Sequence, residues 1–157
     1  MRVVLLLALG LLGCTEGQVP QAEKTISITS ADFGGYPAVF LSLRTGEVTP
    51  VPRSLEGFVT HADLWIEPGD PEVCGLTSSF EGATHTGDDT VVAELENYDA
   101  PVGPSSAWQK RLHRATVKTG LCFAVRASDG RHYRVQIVHS DKQDSTLTLR
   151  YRSADLP

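Results

Sequence analysis

The 157-residue sequence has no long hydrophobic run, no excess of basic residues and a single methionine, Met1. Its longest apolar stretch, residues 3–12, is too short to span a bilayer as a helix. The formal net charge of −5 leaves no basic footprint for nucleic acid, and no run of like charges predicts a helix on a membrane surface. These absences argue against a nucleic-acid-binding protein and against anchoring by a membrane-spanning helix.

The motifs of common catalytic and metal sites are missing as well. The sequence has no Gly-x-Ser-x-Gly elbow, no glycine loop that would cradle a phosphate, and no Cys-x-x-Cys or His-x-x-x-His spacing. The acidic pair Asp88 and Asp89 lacks the repeated oxygen ligands of a calcium loop. We therefore interpret the chain as a binding or structural protein and not as an enzyme.

The N-terminus carries the features of an export signal. Arg2 precedes the apolar run, as in the charged and hydrophobic regions of a secretory signal. The sequence "LLGC", which ends at Cys14, resembles a bacterial lipobox, in which the signal peptide is cut before the cysteine and the thiol is acylated. An ordinary signal peptide with a chance cysteine is the alternative.

This pattern predicts three segments along the chain. We expect residues 1–13 to form a lipoprotein signal peptide, residues 14–23 to form a flexible tether, and residues 24–157 to form one folded domain with a sizeable core. Cys14 carries the lipid in this interpretation. The mature protein is then exported and lipid-anchored in the bacterial cell envelope, with the outer membrane as the expected location.

Cys74 and Cys122 are the other two cysteines, and they lie in a compartment that permits disulfides. A bond between them would close a loop of roughly fifty residues, and the chain-entropy account assigns such a bond about 4 kcal/mol of stabilisation. Two separate buried thiols are the alternative. We predict the disulfide.

Hydrophobic and polar residues alternate in every strong segment, which is typical of strands. Residues 105–114 fit either two or three helical turns, with Trp108 and Leu112 at positions i and i+4, or a loop. The sequence therefore predicts a single all-β domain, an antiparallel β-sandwich or curved sheet of roughly eight to ten strands with at most a short helix. The alternating segments are 25–29, 38–43, 61–67, 90–95, 115–127, 132–139 and 145–152.

Four stretches of the sequence resemble the HmuY-like lipoproteins. They are "FLSLRTGEV" at 40–48, "ADLWI" at 62–66, "FAVRASDGRHYRVQIV" at 123–138 and "TLTLRYR" at 146–152. The resemblance implies a lipid-anchored, all-β, HmuY-like fold. The best-known members of that family capture haem and pass it to an outer-membrane receptor, so the resemblance also implies haem as a ligand. The family takes its axial ligands from a variable middle region that is shorter in this chain, and no ligand position carries over.

Histidine is the residue type that a haem site in this chain would need. Haem iron accepts His, Met, Cys or Tyr, but Met1 leaves with the signal peptide and paired cysteines offer no thiolate. His85 and His113 flank the irregular centre of the chain, where two loops could bring them to one cleft with Tyr98 and Trp108 as apolar walls. A polar turn is the alternative for His85.

The remaining histidines are interpreted as surface or strand-end residues: His61, His132 and His139. The function that we expect is a lipid-anchored envelope binding protein for haem or another porphyrin, whose partners are the membrane, through the anchor, and an outer-membrane receptor. The alternative is a structural or protein-interaction lipoprotein that keeps the HmuY-like scaffold without haem binding.

Overall fold

The computed structural model describes residues 22–102, 104 and 107–154, and their regular secondary structure is almost entirely β-strand. The predicted signal peptide, Cys14 and most of the predicted tether lie outside these residues. The described part of the chain contains one short 3-10 helix, Ser30–Asp32, and no helix long and apolar enough to cross a membrane. Its strands are β1 (Lys24–Ile28), β2 (Val39–Leu41), β3 (Val48–Pro50), β4 (Val59–Thr60), β5 (Leu64–Glu67), β6 (Glu72–Gly75), β7 (Ser79–Phe80), β8 (Ala83–His85), β9 (Val91–Leu95), β10 (Cys122–Arg126), β11 (His132–Asp141) and β12 (Thr146–Ala154).

Two antiparallel sheets form a sandwich around the main hydrophobic core. The five-stranded sheet has the order β1-β12-β11-β10-β9, and the four-stranded sheet has the order β3-β2-β5-β6. The core between them takes every second residue of the long strands, so the alternation in the sequence places one face inward and the other outward. The all-β sandwich is therefore confirmed, although the described residues hold more strands than expected.

Strands β2, β5 and β6 are buried on both faces because apolar residues occupy both of their alternating positions. Phe40, Trp65 and Cys74 are paired across these strands on the outer face of the four-stranded sheet, which is the face turned away from the main core. A small third sheet, with the order β4-β8-β7 and one parallel pair, lies beside this face. Phe58 and Phe80 from that region complete a second hydrophobic cluster.

Residues 109–112 join the edges of the two main sheets, and we call this segment the sheet bridge. Gln109 exchanges two backbone hydrogen bonds of 2.8 Å with Val92 on β9. On its other side the bridge pairs with β6, where the Gly75 N–H donates to the Lys110 carbonyl at 2.8 Å. Gly75 has no room for a side chain, because a Cβ there would lie 2.2 Å from a backbone oxygen of the segment before β9.

The structure decides between the two interpretations of residues 105–114. The helical one is wrong for residues 108–114, since the backbone groups of the sheet bridge bond to sheet edges and not to one another. Leu112 is fully buried in the main core, whereas Trp108 packs on the outer face of the five-stranded sheet. The spacing of these two residues reflects two separate burial sites and not one helical face.

A buried carboxylate, Asp63, ties the four-stranded sheet to the hairpin between β10 and β11. Its side chain accepts a 2.8 Å hydrogen bond from the Leu43 N–H and 3.4 Å bonds from the N–H and hydroxyl of Ser128. Asp63 is only 4% exposed, and this burial raises the pKa of its carboxyl although the hydrogen bonds act in the opposite direction. The contact fixes the hairpin against the end of the sandwich.

The predicted Cys74–Cys122 disulfide is absent from the structure, and this corrects the sequence interpretation. Both cysteines are free and buried, but Cys74 lies in the second hydrophobic cluster while Cys122 packs with Leu95 and Ala124 on the outer face of the five-stranded sheet. The two side chains therefore point away from each other with the main core between them, which no disulfide geometry can span. The alternative of two separate buried thiols describes this chain.

The state of the two thiols can be measured directly in the chain without its first 14 residues. We expect a thiol reagent to modify the native protein slowly, because both thiols are buried and burial raises the pKa of each. After denaturation without a reductant, both cysteines should react at once. Two unreactive cysteines in the denatured, unreduced protein would instead restore the disulfide.

Candidate functional site

A cleft of about 310 Å³ opens on the outer face of the four-stranded sheet, and we call it the Trp65 cleft. Small-molecule sites begin at about 300 Å³, so this cleft can enclose much of a small ligand or one face of a larger one. It combines aromatic rings, a thiol and charged groups. Its walls are formed by Tyr36, Pro52, Arg53, Leu55, Trp65, Glu67, Glu72, Cys74, Phe80, Glu81, Arg111 and Arg114.

The apolar wall of the cleft is a set of aromatic rings centred on Trp65. The Trp65 ring meets the Tyr36 ring edge-on with a centroid distance of 5.6 Å and the Phe80 ring at 5.1 Å. Behind it, the Phe40 ring lies at 5.6 Å and stacks on Phe58 at 5.5 Å. Tyr36 is 47% exposed at the mouth of the cleft, so a flat apolar ligand could contact its ring without unfolding the cluster.

The opposite wall is a buried glutamate held by two arginines. Glu72 accepts from Arg111 at 2.9 Å and from the Nε and Nη2 of Arg114 at 3.2 and 2.5 Å, while Asp70 binds the remaining arm of Arg114. Burial alone would raise the pKa of Glu72, but the hydrogen bonds and charges of the two arginines outweigh it and the pKa is lowered. The Glu72 carboxylate in this wall is therefore ionised at neutral pH, and the two arginines hold it in place.

Cys74 lies at the floor of the cleft next to Glu72. Its thiol donates a 3.4 Å hydrogen bond to the Glu72 carboxylate, and burial together with that negative charge raises the pKa of Cys74 to about 12. The thiol is therefore protonated at neutral pH. A protonated thiol is a poor nucleophile and a poor metal ligand, so Cys74 acts here as a small apolar group with one donor.

Three further charged residues surround the mouth of the cleft. Arg53 and Glu81 are exposed, and Glu67 is half-buried with its pKa raised by burial against the charge of Arg114. Glu81 and Gly82 form the turn between β7 and β8 with φ values of 50° and 90°, the left-handed pair that a two-residue hairpin turn requires. That turn carries Phe80 into the cleft.

The predicted aromatic residues Tyr98 and Trp108 do come together, but on the other side of the molecule. Tyr98 is buried with Leu95 and Cys122 on the outer face of the five-stranded sheet, and Trp108 packs against the same cluster. Burial and the nearby charge of Glu23 raise the pKa of Tyr98 to about 12. Tyr98 and Trp108 are therefore not part of the Trp65 cleft.

The structure places the two predicted histidines in different surroundings. His85 is 4% exposed, and its Nε2 atom lies 2.9 Å from the carbonyl oxygen of Ala62, while its Nδ1 is buried without a partner in the structure. His113 is exposed and lines a separate surface hollow with Leu112 and Arg114. Ligation by His85 and His113 stays a prediction.

The other histidines are at the surface or near strand ends, and the described residues contain no cluster of three or more His, Cys, Asp or Glu that could hold a metal ion. His61 contacts the Thr86 hydroxyl through Nδ1. His132 lies 5.9 Å from the Trp108 ring, and burial and the charge of Arg126 lower its pKa.

The sequence signal that could have located the Trp65 cleft was the apolar residue at both alternating positions of the central strands.

The arginine-held carboxylate makes stability depend on pH with a defined sign. Because the folded pKa of Glu72 lies below its ordinary value of 4.5, the ionised group stabilises the fold above that pH, and the contribution is lost as pH falls through the folded pKa. We expect Glu72→Gln to lower the free energy of unfolding by about 1 to 3 kcal/mol at pH 7, and the difference to shrink in acid.

Denaturant unfolding at a series of pH values measures this difference, with Glu56→Gln as the control because Glu56 is exposed and away from the two arginines. A Glu72→Gln effect that is as large at pH 3 as at pH 7 would contradict the assignment.

Comparison with known proteins finds a likeness in fold alone. No family model and no curated protein matches the chain. A crystal structure described as an HmuY-like haem-binding protein from Bacteroides vulgatus is 13% identical, with a TM-score of 0.50 over 82% of this chain and 90% of that chain. Apo PinO from Porphyromonas gingivitis is 14% identical, with a TM-score of 0.46 over 87% of this chain and 99% of that one.

The apo HmuY analogue of Tannerella forsythia is also 14% identical, with a TM-score of 0.42 over 87% of this chain and 98% of its own. The Bacteroides vulgatus structure is the one whose similarity identifies the architecture. The resemblance predicted from four sequence segments is thereby confirmed at the level of the fold, which is all-β and HmuY-like.

Proposed function

We propose that this protein is a non-enzymatic binding module of the bacterial envelope, tethered by lipid on Cys14, which holds a porphyrin-class ligand in the Trp65 cleft. The single observation that carries the proposal is the exposed Tyr36 ring, which packs edge-on against the buried Trp65 at the mouth of the cleft beside a fixed charged wall. A flat aromatic ligand gains both area burial and ring–ring contact from such a wall. The shared fold with a protein described as haem-binding is consistent with this ligand class.

The charges at the mouth fit the periphery of such a ligand better than its centre. Arg53 is exposed at the rim, where it can meet a carboxylate of a porphyrin side chain. Arg111 and Arg114 are already engaged by Glu72 and hold the wall in position. The cleft therefore offers stacking along one side and a free guanidinium at its edge.

Of the residue types that haem iron accepts, the described lining of the cleft offers Tyr36 and Cys74. None of the described lining residues is a histidine or methionine, and the Cys74 thiol is kept protonated beside Glu72. Tyr36 meets Trp65 edge-on at the mouth, and we infer that contact with the porphyrin ring and not iron ligation supplies the affinity. A Tyr36→Ala loss confined to hemin would contradict this inference. The His85–His113 prediction requires a different cavity and is tested in the same experiment.

The test is a pair of titrations, with hemin and with iron-free protoporphyrin, on the chain without its first 14 residues, which keeps every described residue. We expect the two ligands to bind with similar affinity, because the described cleft contacts the ring. Tyr36→Ala should weaken the affinity for both porphyrins by roughly two- to tenfold, which is the value of one aromatic contact. The fold should not change, because Tyr36 is half exposed. Trp108→Phe is the matched aromatic control and should change neither affinity.

The spectra separate the proposal from its alternatives. A low-spin hemin spectrum that His85→Ala and His113→Ala each convert would establish the histidine pair and remove the Trp65 cleft as the site. Failure of both porphyrins to bind would favour the structural or protein-interaction lipoprotein.

The anchor is tested separately. Because Cys14 is the acylated residue in this proposal, Cys14→Ser should abolish fatty-acid labelling and leave the protein outside the membrane fraction or as unprocessed precursor. Cys122→Ser, which removes a buried thiol, should keep the label. Labelling that persists in Cys14→Ser would refute the anchor and leave the porphyrin proposal untouched.

A further inference from the structure

Four arginines share the outer face of the five-stranded sheet, and we call them the arginine face: Arg126 on β10, Arg134 on β11, and Arg150 and Arg152 on β12. Each occupies the alternating position whose neighbours along the strand point into the main core. Arg134 lies directly opposite Arg152 in the strand register. This concentration of positive charge stands in a chain with 14 basic and 19 acidic residues.

Like charges in directly opposite cross-strand positions destabilise a sheet, so the arginine face needs compensation. Some is present within the chain: Arg152 pairs with Asp99, Arg150 pairs with Glu23 at 3.5 Å, and Arg134 donates to two backbone carbonyls. The described residues thus place two carboxylates against four guanidinium groups. Arg134, Arg150 and Arg152 are half-buried, whereas Arg126 is exposed, so Arg126 carries most of the accessible positive charge of the face.

Aromatic rings lie among these arginines. The guanidinium of Arg150 lies 4.6 Å and that of Arg152 lies 5.2 Å from the centre of the Tyr98 ring, and the Arg126 guanidinium lies 5.8 Å from the centre of the Trp108 ring. Arg126 and half-buried Trp108 are both accessible to solvent. Basic and aromatic side chains in this mixture are typical of surfaces that meet phospholipid headgroups.

The point at which the predicted tether joins β1 indicates the partner of the arginine face. β1 begins at Lys24, directly opposite Tyr151 and therefore between the strand positions of Arg150 and Arg152. The predicted tether, residues 14–23, ends at the same place, and an extended segment of that length reaches roughly 30 Å. If Cys14 carries lipid, as proposed above, the arginine face cannot leave the neighbourhood of the bilayer.

We propose that the arginine face docks on the anionic phospholipid headgroups of the leaflet that holds the anchor. Guanidinium groups form paired hydrogen bonds to phosphate, and a negative surface attracts basic residues that lie close to it. Docking in this way turns the Trp65 cleft, on the outer face of the opposite sheet, away from the membrane and towards solvent. The tether and the face then set one orientation of the domain.

The experiment uses the chain without its first 14 residues, so that its result is independent of the anchor and of porphyrin binding. Cosedimentation with phosphatidylcholine vesicles, with and without phosphatidylglycerol, measures partitioning. We expect binding that requires phosphatidylglycerol and weakens with added salt. Arg126→Gln should weaken it about fivefold. Arg53→Gln, which removes an exposed arginine on the other side of the sandwich, is the matched control and should leave it unchanged.

Tryptophan fluorescence reports the orientation. In the Trp65→Phe variant, the remaining Trp108 should be quenched by brominated phosphatidylglycerol, whereas in the Trp108→Phe variant the remaining Trp65 should not be. Binding that ignores phosphatidylglycerol, equal losses in Arg126→Gln and Arg53→Gln, or stronger quenching of Trp65 would each overturn the proposal.

Discussion

The sheet bridge is the constraint on which the rest of the molecule depends. A sandwich of two open sheets leaves unpaired N–H and C=O groups along its edges, and these groups are stabilised only when another segment pairs with them. Residues 109–112 pair with β9 on one side and β6 on the other, and they place Leu112 in the main core between the sheets. One short extended segment thereby closes two edges and fixes the distance between the sheets.

Both candidate surfaces are attached to the ends of this bridge. Trp108, immediately before it, packs on the arginine face, and Arg111 with Arg114, at its end, hold Glu72 in the wall of the Trp65 cleft. The backbone bonds of the bridge are what position these side chains, since the side chains themselves are half exposed and carry little burial energy. A change that loosens the bridge would therefore disturb the cleft and the arginine face together.

The fold could be predicted further than the site, for a physical reason that particular strands illustrate. In β11 and β12 one alternating set is apolar and the other polar, so the inward face is evident from the sequence. In β2, β5 and β6 both sets are apolar, which indicates burial on two sides but not which side forms a cleft. The sheet bridge was harder still to predict, because its residues form isolated β-bridges and leave no hydrophobic period in the sequence. In addition, Trp108 and Leu112 have the i and i+4 spacing that is typical of a helix. The histidine pair stays a prediction, because loop positions in a sequence carry no distance information.

Asp63 explains why the family resemblance transferred the architecture and not the ligand residues. Its carboxylate binds the Leu43 N–H and the Ser128 hairpin, so one buried group connects three of the four segments that carry the resemblance. Loss of these hydrogen bonds would leave the carboxylate unpartnered at that depth, at a cost of about 1 to 3 kcal/mol. The three segments are therefore joined through this one group. The residues around Trp65 that line the cleft are joined to one another by ring packing, which many apolar side chains can satisfy. The wall of the cleft is therefore less constrained by the fold than the Asp63 connection, and a resemblance in fold does not identify a ligand.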